Sequence, residues 1–509
     1  MKLLKENFHY LLFLSSVFFL GNPSKFPADD GFFYPQIAHN LVSHGFMGFN
    51  NLYLTNGFHP LWMVFCTLAE IINPFGKTFS LNLIWLFQVL LVFFGFRLLE
   101  KTIFNDGFGK MCALAFYCLM FFSLGTLYLT EAHLAFFTIA LLICFLIKNF
   151  TNDFIFGIIC SLVFLARLDH IFIIIPFGFY FWKQKSWNVL NLMKMITGFS
   201  ILSVPYLVSN EYIFGNLVPI SGKIKSSFPL IQDDIKIKVF QEVFIAGGFL
   251  YFIFLSFYRN TRFRTIKLLL LTGSLIQLLY NLFFQSEIGQ WYFVSQLVFC
   301  GFFIHDMIGK LNLKILRNVY FSKIAAVFFV LFVCFVGFLK LTTSLSLQNN
   351  VFAVHSKFEK KADDSVIETI QQLNRIVQER SRIYVYDFPG KFAYYSEFNI
   401  IPADGLVANT DFFNELNSVR FKEFFKQKDI KFLLFPTSFK VHDRSQNFMG
   451  ISVNDTKENN LFYIKNTLDK KVADSLEDQK DLVKLKSFDN PVKTWQPMYD
   501  SVTVYRLKE

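Results

Sequence analysis

Charge is what this 509-residue sequence has least of: 17% of its residues are Asp, Glu, Lys or Arg, where a soluble chain carries about 25%. That shortage, with 53% hydrophobic residues and a positive mean hydropathy, excludes an ordinary soluble enzyme. Cysteine is sparse too. Its seven residues (66, 112, 118, 144, 160, 300 and 334) lie in apolar segments with no CxxC pair, which argues against a disulfide framework or a zinc ribbon and for small buried hydrophobes. No internal repeat, no glycine-rich phosphate loop in the polar C-terminal third and no dense His/Asp/Glu ligand motif is present. What is abundant is phenylalanine, 71 residues, a side chain suited to lipid-facing and helix-packing surfaces.

The formal charge of +11 could suggest nucleic acid, but Lys and Arg sit mostly in short loops between apolar runs. That placement is the signature of membrane orientation, and no nucleic-acid partner is expected. Long apolar runs lie at 81–99, 111–127, 132–147, 239–257, 266–284, 291–308 and 322–341, and shorter ones at 8–21, 60–73, 154–166, 171–182 and 195–209. Lys2 and Lys5 precede the first run as in a signal peptide, but Asn22-Pro23-Ser24-Lys25 is a poor cleavage site, so an uncleaved span is expected. With the N-terminus cytoplasmic and 60–73 re-entrant or interfacial, the cytoplasmic segments hold seventeen basic residues and the longer opposite loops seven. A full crossing at 60–73 breaks that bias. One long helix over 154–182 would also invert every later loop and leave Arg167, Asp169 and His170 at mid-membrane. The expectation is therefore a polytopic α-helical membrane protein of about eleven transmembrane helices, with a domain of residues 1–341, a first outer loop at 22–79, and residues 342–509 outside.

Residues 342–509 read as a small α/β domain. An amphipathic helix at 363–380 with Asp363 or Asp364 near its N-cap leads to a strand at Arg382–Asp387. A short helix at 391–397, a strand at 399–402, a helix near 411–427, a strand at 431–435 and a closing strand at 501–507 follow, while 440–480 is too irregular to assign. Binding or scaffolding is its expected role.

The first outer loop carries the most chemistry. It holds Asp29-Asp30-Gly31-Phe32-Phe33-Tyr34, then His39-Asn40, His44-Gly45 and Asn56-Gly57-Phe58-His59-Pro60-Leu61-Trp62. Two carboxylates beyond the first span stand where a membrane-bound substrate presents its headgroup. A carboxylate can take a proton from an acceptor hydroxyl, or merely cap a helix starting at Gly31.

The order DDGFFYPQIAHNLVSHG then NGFHPLW resembles the opening of the GT-C polyprenyl-phosphate-sugar transferases. It is closest to bacterial members related to terminal arabinofuranosyltransferases, and more distantly similar to aminoarabinose transferases and protein O-mannosyltransferases. Leu129-Thr130-Glu131, Ala166-Arg167-Leu168-Asp169, Phe214-Gly215-Asn216-Leu217-Val218-Pro219 with Lys223, Gln290-Trp291-Tyr292-Phe293, Phe392–Tyr395 and Asp404-Gly405-Leu406 follow in the same order. Two departures stand out: His59 where relatives often carry a small hydroxyl residue, and Pro219-Ile220-Ser221 where they often carry Pro-Asn-Thr.

The resemblance implies a GT-C-like membrane domain and transfer of a sugar from a polyprenyl-phosphate donor to a glycan, lipid or protein acceptor, with inversion. The Lys- and Phe-rich composition points to a bacterial inner membrane, with the endoplasmic reticulum as the alternative. Asp29 or Asp30 would be the base, with the leading one the usual choice. Arg167, Lys223 and Lys225 would hold the donor phosphate by charge-assisted bonds. Pairing of Arg167 with Asp169 and headgroup attraction of the lysines are the alternatives. Glu131 would bind sugar or a divalent ion (Mg or Mn, with Asp30), or cap the helix from Ala132. His59, Asp169, His170, Trp291 and Tyr292 would contact sugar or acceptor, against a structural role for the histidines and an interfacial belt for the aromatics. Glu70, inside an apolar run, should be paired or face water. Asp29, Glu131, Arg167 and Lys223 are expected to open into one pocket. A transporter or lipid flippase is the rival reading; it predicts deep charges and two related halves.

Overall fold

The computed structural model describes residues 2–20, 29–104, 107–123, 127–232, 235, 237–286, 288–310, 359–386, 388–439, 445–448, 451–456, 461–466, 475–477, 480–491 and 499–508. The expected span at 322–341, the domain boundary at 341/342, the segment 22–25 and Cys334 lie outside them.

The described N-terminal part is a helical bundle: α1 (Lys2–Leu20), α2 (Phe33–His44), α3 (Pro60–Ile71), α4 (Lys77–Glu100), α5 (Gly107–Ser123), α6 (Ala132–Ile147), α7 (Asp153–Ala166), α8 (Ile171–Gln184), α9 (Val189–Phe214), α10 (Ile220–Lys225), α11 (Val239–Phe257), α12 (Arg264–Phe284) and α13 (Val294–Lys310). Five described segments, at 79–100, 189–214, 239–257, 264–284 and 290–310, are long and apolar enough to cross a bilayer. At about 1.5 Å per residue, the twelve residues of α3 reach about 18 Å, short of a hydrocarbon core of about 30 Å. The apolar run 154–182 breaks where expected, with Arg167 in extended backbone between α7 and α8.

Large apolar side chains such as Leu202 and Val208 on α9 and Phe249 and Phe252 on α11 are exposed among the described residues. That is the arrangement a lipid solvent permits. Charges inside the bundle are paired, as burial there demands. Glu100 at the end of α4 meets His9 at 2.8 Å and Lys110 at 2.9 Å, tying α1, α4 and α5 together. Lys267 on α12 meets Asp306 on α13 at 2.7 Å, with Tyr251 donating to the same carboxylate. Glu70 on α3 is likewise paired, with His39 at 2.7 Å.

The C-terminal domain comprises α14 (Glu359–Leu373), β1 (Arg382–Val385), α15 (Pro389–Tyr395), β2 (Asn399–Pro402), α16 (Thr410–Ser418), α17 (Phe421–Gln427), β3 (Phe432–Phe439), β4 (Ser445–Phe448), β5 (Ile451–Thr456), β6 (Leu461–Asn466), β7 (Ser475–Glu477), β8 (Leu482–Asp489) and β9 (Tyr499–Leu507). Its main sheet has the order β2-β1-β3-β9-β8, with β1 parallel to β2 and β3 and the remaining pairs antiparallel. This is the expected α/β domain with an added strand, β8, that was not expected, and with further differences. α14 begins at Glu359, ahead of the expected N-cap. The helix expected near 411–427 is two, broken where Val419 turns to extended backbone. Within the unassigned 440–480, β4 to β7 form a second, antiparallel sheet.

The polarity of β1 and β2 places the domain on the bundle. Their C-terminal ends lead into α15 and the loop 403–409, and both press on the first long loop. An added Cβ at Gly57 would stand 2.1 Å from the Leu406 carbonyl, and one at Gly390 would stand 2.4 Å from the Asp29 carbonyl. Only glycine lets the two backbones approach so closely.

Candidate active site

The site is assembled from five chain breaks at the end of the bundle that carries the C-terminal domain. The first is a 3-10 turn, Asp29–Phe32, ahead of α2. The second is the approach to α3, where Pro60 at the first helical position leaves His59 in extended backbone. The third is the turn before α6. Here Leu129 takes a left-handed φ of 63°, a conformation that costs a bulky residue on the order of 1–3 kcal/mol and persists only when its surroundings enforce it. They do: the Trp62 indole donates to the Leu129 carbonyl at 2.7 Å, and the Leu129 amide donates to the Gln88 side chain at 3.2 Å. The clamp delivers Glu131 to the site. The fourth break is Arg167–His170. The fifth is α10, whose first amide, at Ile220, donates to buried Asn56 at 3.2 Å.

Arg167 lies at the centre and is 1% exposed. Its Nε and Nη2 each donate to Asp169 at 3.1 Å, its Nη1 donates to Glu131, and its guanidinium stacks over the Tyr292 ring at 4.3 Å. Such planar, two-pronged pairing is particular to arginine. The carboxylates are held from behind: Tyr34 donates to Glu131 at 3.0 Å, and Gln277 on α12 donates to Asp169 at 2.8 Å. Burial raises the Asp169 carboxyl, but the Arg167 charge and the hydrogen bonds from Arg167 and Gln277 act together against it and bring the group down to about 2.

Two cavities meet here. A small polar one is lined by Asp30, Tyr34, His59, Glu131, Lys225 and Trp291, among others, with Leu406 reaching in from the C-terminal domain. A large, mainly apolar one of about 1010 Å³ runs from Arg167, Asp169 and Lys223 along Phe172, Leu279 and Phe283. His59, Ser221 and Tyr292 line both and mark the junction. Lys225 is 6% exposed and lies 3.6 Å from Asp30, whereas Lys223 is exposed and makes no ion pair among the described residues. His59 Nε2 is 3.7 Å from Glu131, burial holds its imidazole below the ordinary range, and its Nδ1 is buried with no hydrogen-bond partner among the described residues.

Asp29 and His170 stand apart from both cavities. The two Asp29 oxygens accept the backbone amides of Gly390 and Lys391, each at 2.8 Å. Burial pushes this carboxyl up to about 7 against the pull of those donors. The sequence-based expectation that Asp29 opens into one pocket with Glu131, Arg167 and Lys223 is therefore corrected: Asp29 is spent on seating the C-terminal domain, and Asp30 faces the polar cavity. His170 is fully buried, neither ring nitrogen has a partner among the described residues, and burial drives it down to about 3.

Tyr34, Ser221, Gln277 and Leu406 were not singled out in the sequence as site residues. The signal for Gln277 was there: an amide within an apolar span that contains Ser274 and Asn281. Asp30 and Glu131, the expected cation ligands, share the polar cavity but already face Lys225 and Arg167. No group of three or more His, Cys, Asp or Glu able to hold a metal occurs among the described residues. The residues present do not make a cage for magnesium or manganese.

A bundle of apolar helices, five of the described segments long enough to cross a bilayer, with an α/β domain seated on one end, defines a polytopic membrane protein. Among solved structures the chain is similar to ArnT from Cupriavidus metallidurans bound to undecaprenyl phosphate, with a TM-score of 0.51 at 13% identity over 85% of this chain and 92% of that one. ArnT from the same organism in the apo state gives 0.46 at 12% identity, over 82% and 90%. The fold is thus that of ArnT. No family model and no curated protein matches the sequence.

Proposed function

We propose that this chain is an integral membrane glycosyltransferase that moves a sugar from a polyprenyl-phosphate donor onto an extracytoplasmic glycan, lipid or protein acceptor, with inversion. The observation that carries the reading is the junction of a long apolar cavity with a small polar one, with Lys223, Lys225 and Arg167 at the boundary. A prenyl tail fits the apolar arm, an anionic phosphate fits the cationic boundary, and a sugar fits the polar arm. The ArnT structure of the same fold was solved with undecaprenyl phosphate bound.

Arg167 is already matched by two carboxylates. Its role in this reading is to hold Glu131 and Asp169 in place and to present one edge to the phosphate. Lys223 and Lys225 supply the attraction that is not already matched within the Arg167 triad. As the phosphate takes up Lys225, Asp30 is released to accept the proton of the acceptor hydroxyl. The hydroxyl oxygen then forms a bond to the anomeric carbon as the carbon–oxygen bond to phosphate breaks. The leaving electrons go to a phosphate held by both lysines. One displacement inverts the centre. His59, neutral, with a free Nδ1, faces both arms and orients the sugar or acceptor through that nitrogen. Trp291 and Tyr292 give the sugar a flat apolar wall.

In this reading the protein is multi-pass in a bacterial inner membrane, with its N-terminus cytoplasmic and its C-terminal domain outside. The test is incubation of purified protein with labelled polyprenyl-phosphate sugars. Release of polyprenyl phosphate with transfer of label supports the enzyme. Lipid flux in liposomes without turnover overturns it in favour of a flippase.

A further inference from the structure

The C-terminal domain has a second cavity, of about 860 Å³, unconnected with the chemistry above. Lys422 and Lys426 on α17, Lys431 ahead of β3, and Arg506 and Lys508 at the end of β9 line it, with Asp429 as the one carboxylate in its wall among the described residues. Phe425 and Ile430, both buried, lie beneath it, and half-buried Leu507 gives its wall an apolar side chain. Five cations from three separate parts of the fold thus converge on one concave surface. Two are partly matched, since Lys422 pairs with Asp481 and Lys431 lies 3.4 Å from Asp429. Lys426 and Arg506 are exposed and make no ion pair among the described residues. Like charges gathered at one place repel one another and cost stability unless an anion joins them.

The position of the cavity narrows the choice of anion. The C-terminal ends of β1 and β2 point at Asp29 and the polar cavity, as described above. β1 begins opposite Asn399, and Phe432 of β3 pairs with Arg506, so the basic cavity borders the opposite end of the sheet. Four residues of strand at roughly 3.3 Å each keep the two sites about 13 Å or more apart. The basic end of the sheet is thus the one remote from Asp29 and the polar cavity, although Asn51 of the first long loop reaches Asn399 at that end. A polymer long enough to reach the polar cavity with its growing end could rest here.

We propose that this cavity binds an anionic stretch of the acceptor, a glycan chain bearing phosphate or carboxylate groups. Lys426 and Arg506 bind its charges, and its sugar units lie against Leu507 and the lysine stems. The identity of the glycan as acceptor rests on the transferase reading, but binding is read without turnover, so loss of one is separate from failure of the other. In the experiment, full-length protein in detergent is titrated against fluorescein-labelled carboxymethyl dextran, with neutral dextran as control and fluorescence polarisation as readout. Binding of the anionic probe alone, weakening as salt is raised, is expected. The double variant Lys426→Gln/Arg506→Gln should bind at least tenfold more weakly, and a matched pair that removes two cations elsewhere on the domain, Arg375→Gln/Lys486→Gln, should bind as the parent does. Absence of binding, equal loss in both pairs, or a preference for phosphatidylglycerol vesicles that disappears in the first pair overturns the proposal, the last in favour of a membrane surface.

Discussion

The adjacent carboxylates Asp29 and Asp30 should separate cleanly on mutation. Asp29→Asn keeps one acceptor oxygen and replaces the other with an amide that confronts a backbone N–H of Gly390 or Lys391. One hydrogen bond to a charged acceptor is lost and a buried donor is left unmatched, at a cost of about 1.5–3 kcal/mol. That cost falls on the seat of the C-terminal domain. The expected signs are a lower melting temperature and faster protease cleavage between bundle and domain, with turnover reduced but measurable. Asp30→Asn leaves those contacts intact. It removes the base, which general-base catalysis values at about 10²- to 10⁴-fold in rate, or about 3–5 kcal/mol of barrier. The assay pairs thermal unfolding in detergent with transfer of label from a polyprenyl-phosphate sugar. If Asp29→Asn is inactive with an unchanged melting temperature while Asp30→Asn turns over normally, the division of labour argued here is wrong.

Arg167→Met should destabilise the bundle by about 3–5 kcal/mol, because it leaves Glu131 and Asp169 buried without their cation; an unchanged unfolding midpoint would refute the pairing. Lys223→Ala should raise KM for the donor by about 10- to 100-fold, the worth of one charge-assisted contact, with no change in melting temperature, since the exposed Lys223 makes no ion pair among the described residues. Leu279→Trp, which fills the apolar cavity, should penalise long-chain donors and spare short-chain analogues; equal effects on both would argue against a prenyl tail there. Stability should also depend on pH. Asp29 and Asp404 are both pushed up to about 7 by burial, from 3.8 in the unfolded chain. The folded state binds their protons more tightly, so these groups stabilise it fully below about pH 4 and progressively less as pH rises toward about 7. Unfolding midpoints over that window should fall with pH, and more weakly in Asp29→Asn; a rising profile contradicts the sign.

The architecture was largely legible because hydropathy and loop charge are local signals. The break at Arg167 and the short α3 could both be read from where charges interrupt apolar runs. The parallel strands β1 and β2 also showed themselves, as short β-rich runs bounded by turn residues. What was not legible depended on contacts distant in sequence. Nothing near Asp29 announces that amides some 360 positions later will claim it. Two carboxylates one residue apart look alike until a helix end is placed beside one of them. Lys223 and Lys225 posed the same problem: on the short α10 one faces the apolar cavity and the other is buried against Asp30. The left-handed Leu129 has no sequence signature, because the Trp62 and Gln88 clamps that enforce it come from other helices. The 440–480 stretch defied assignment because its strands pair with one another and show little hydrophobic alternation.

The central claim is that a prenyl chain lies in the cavity between α8 and α12 with its phosphate at Lys223 and Lys225. A photoreactive polyprenyl phosphate carrying a diazirine in its tail, cross-linked to the purified protein and mapped by mass spectrometry, tests that placement directly. The account predicts labelling at Phe172, Leu279 and Phe283, displaced by unlabelled polyprenyl phosphate and weakened in Lys223→Ala/Lys225→Ala. Label spread over the outward faces of α9 and α11, indifferent to competitor, would contradict it.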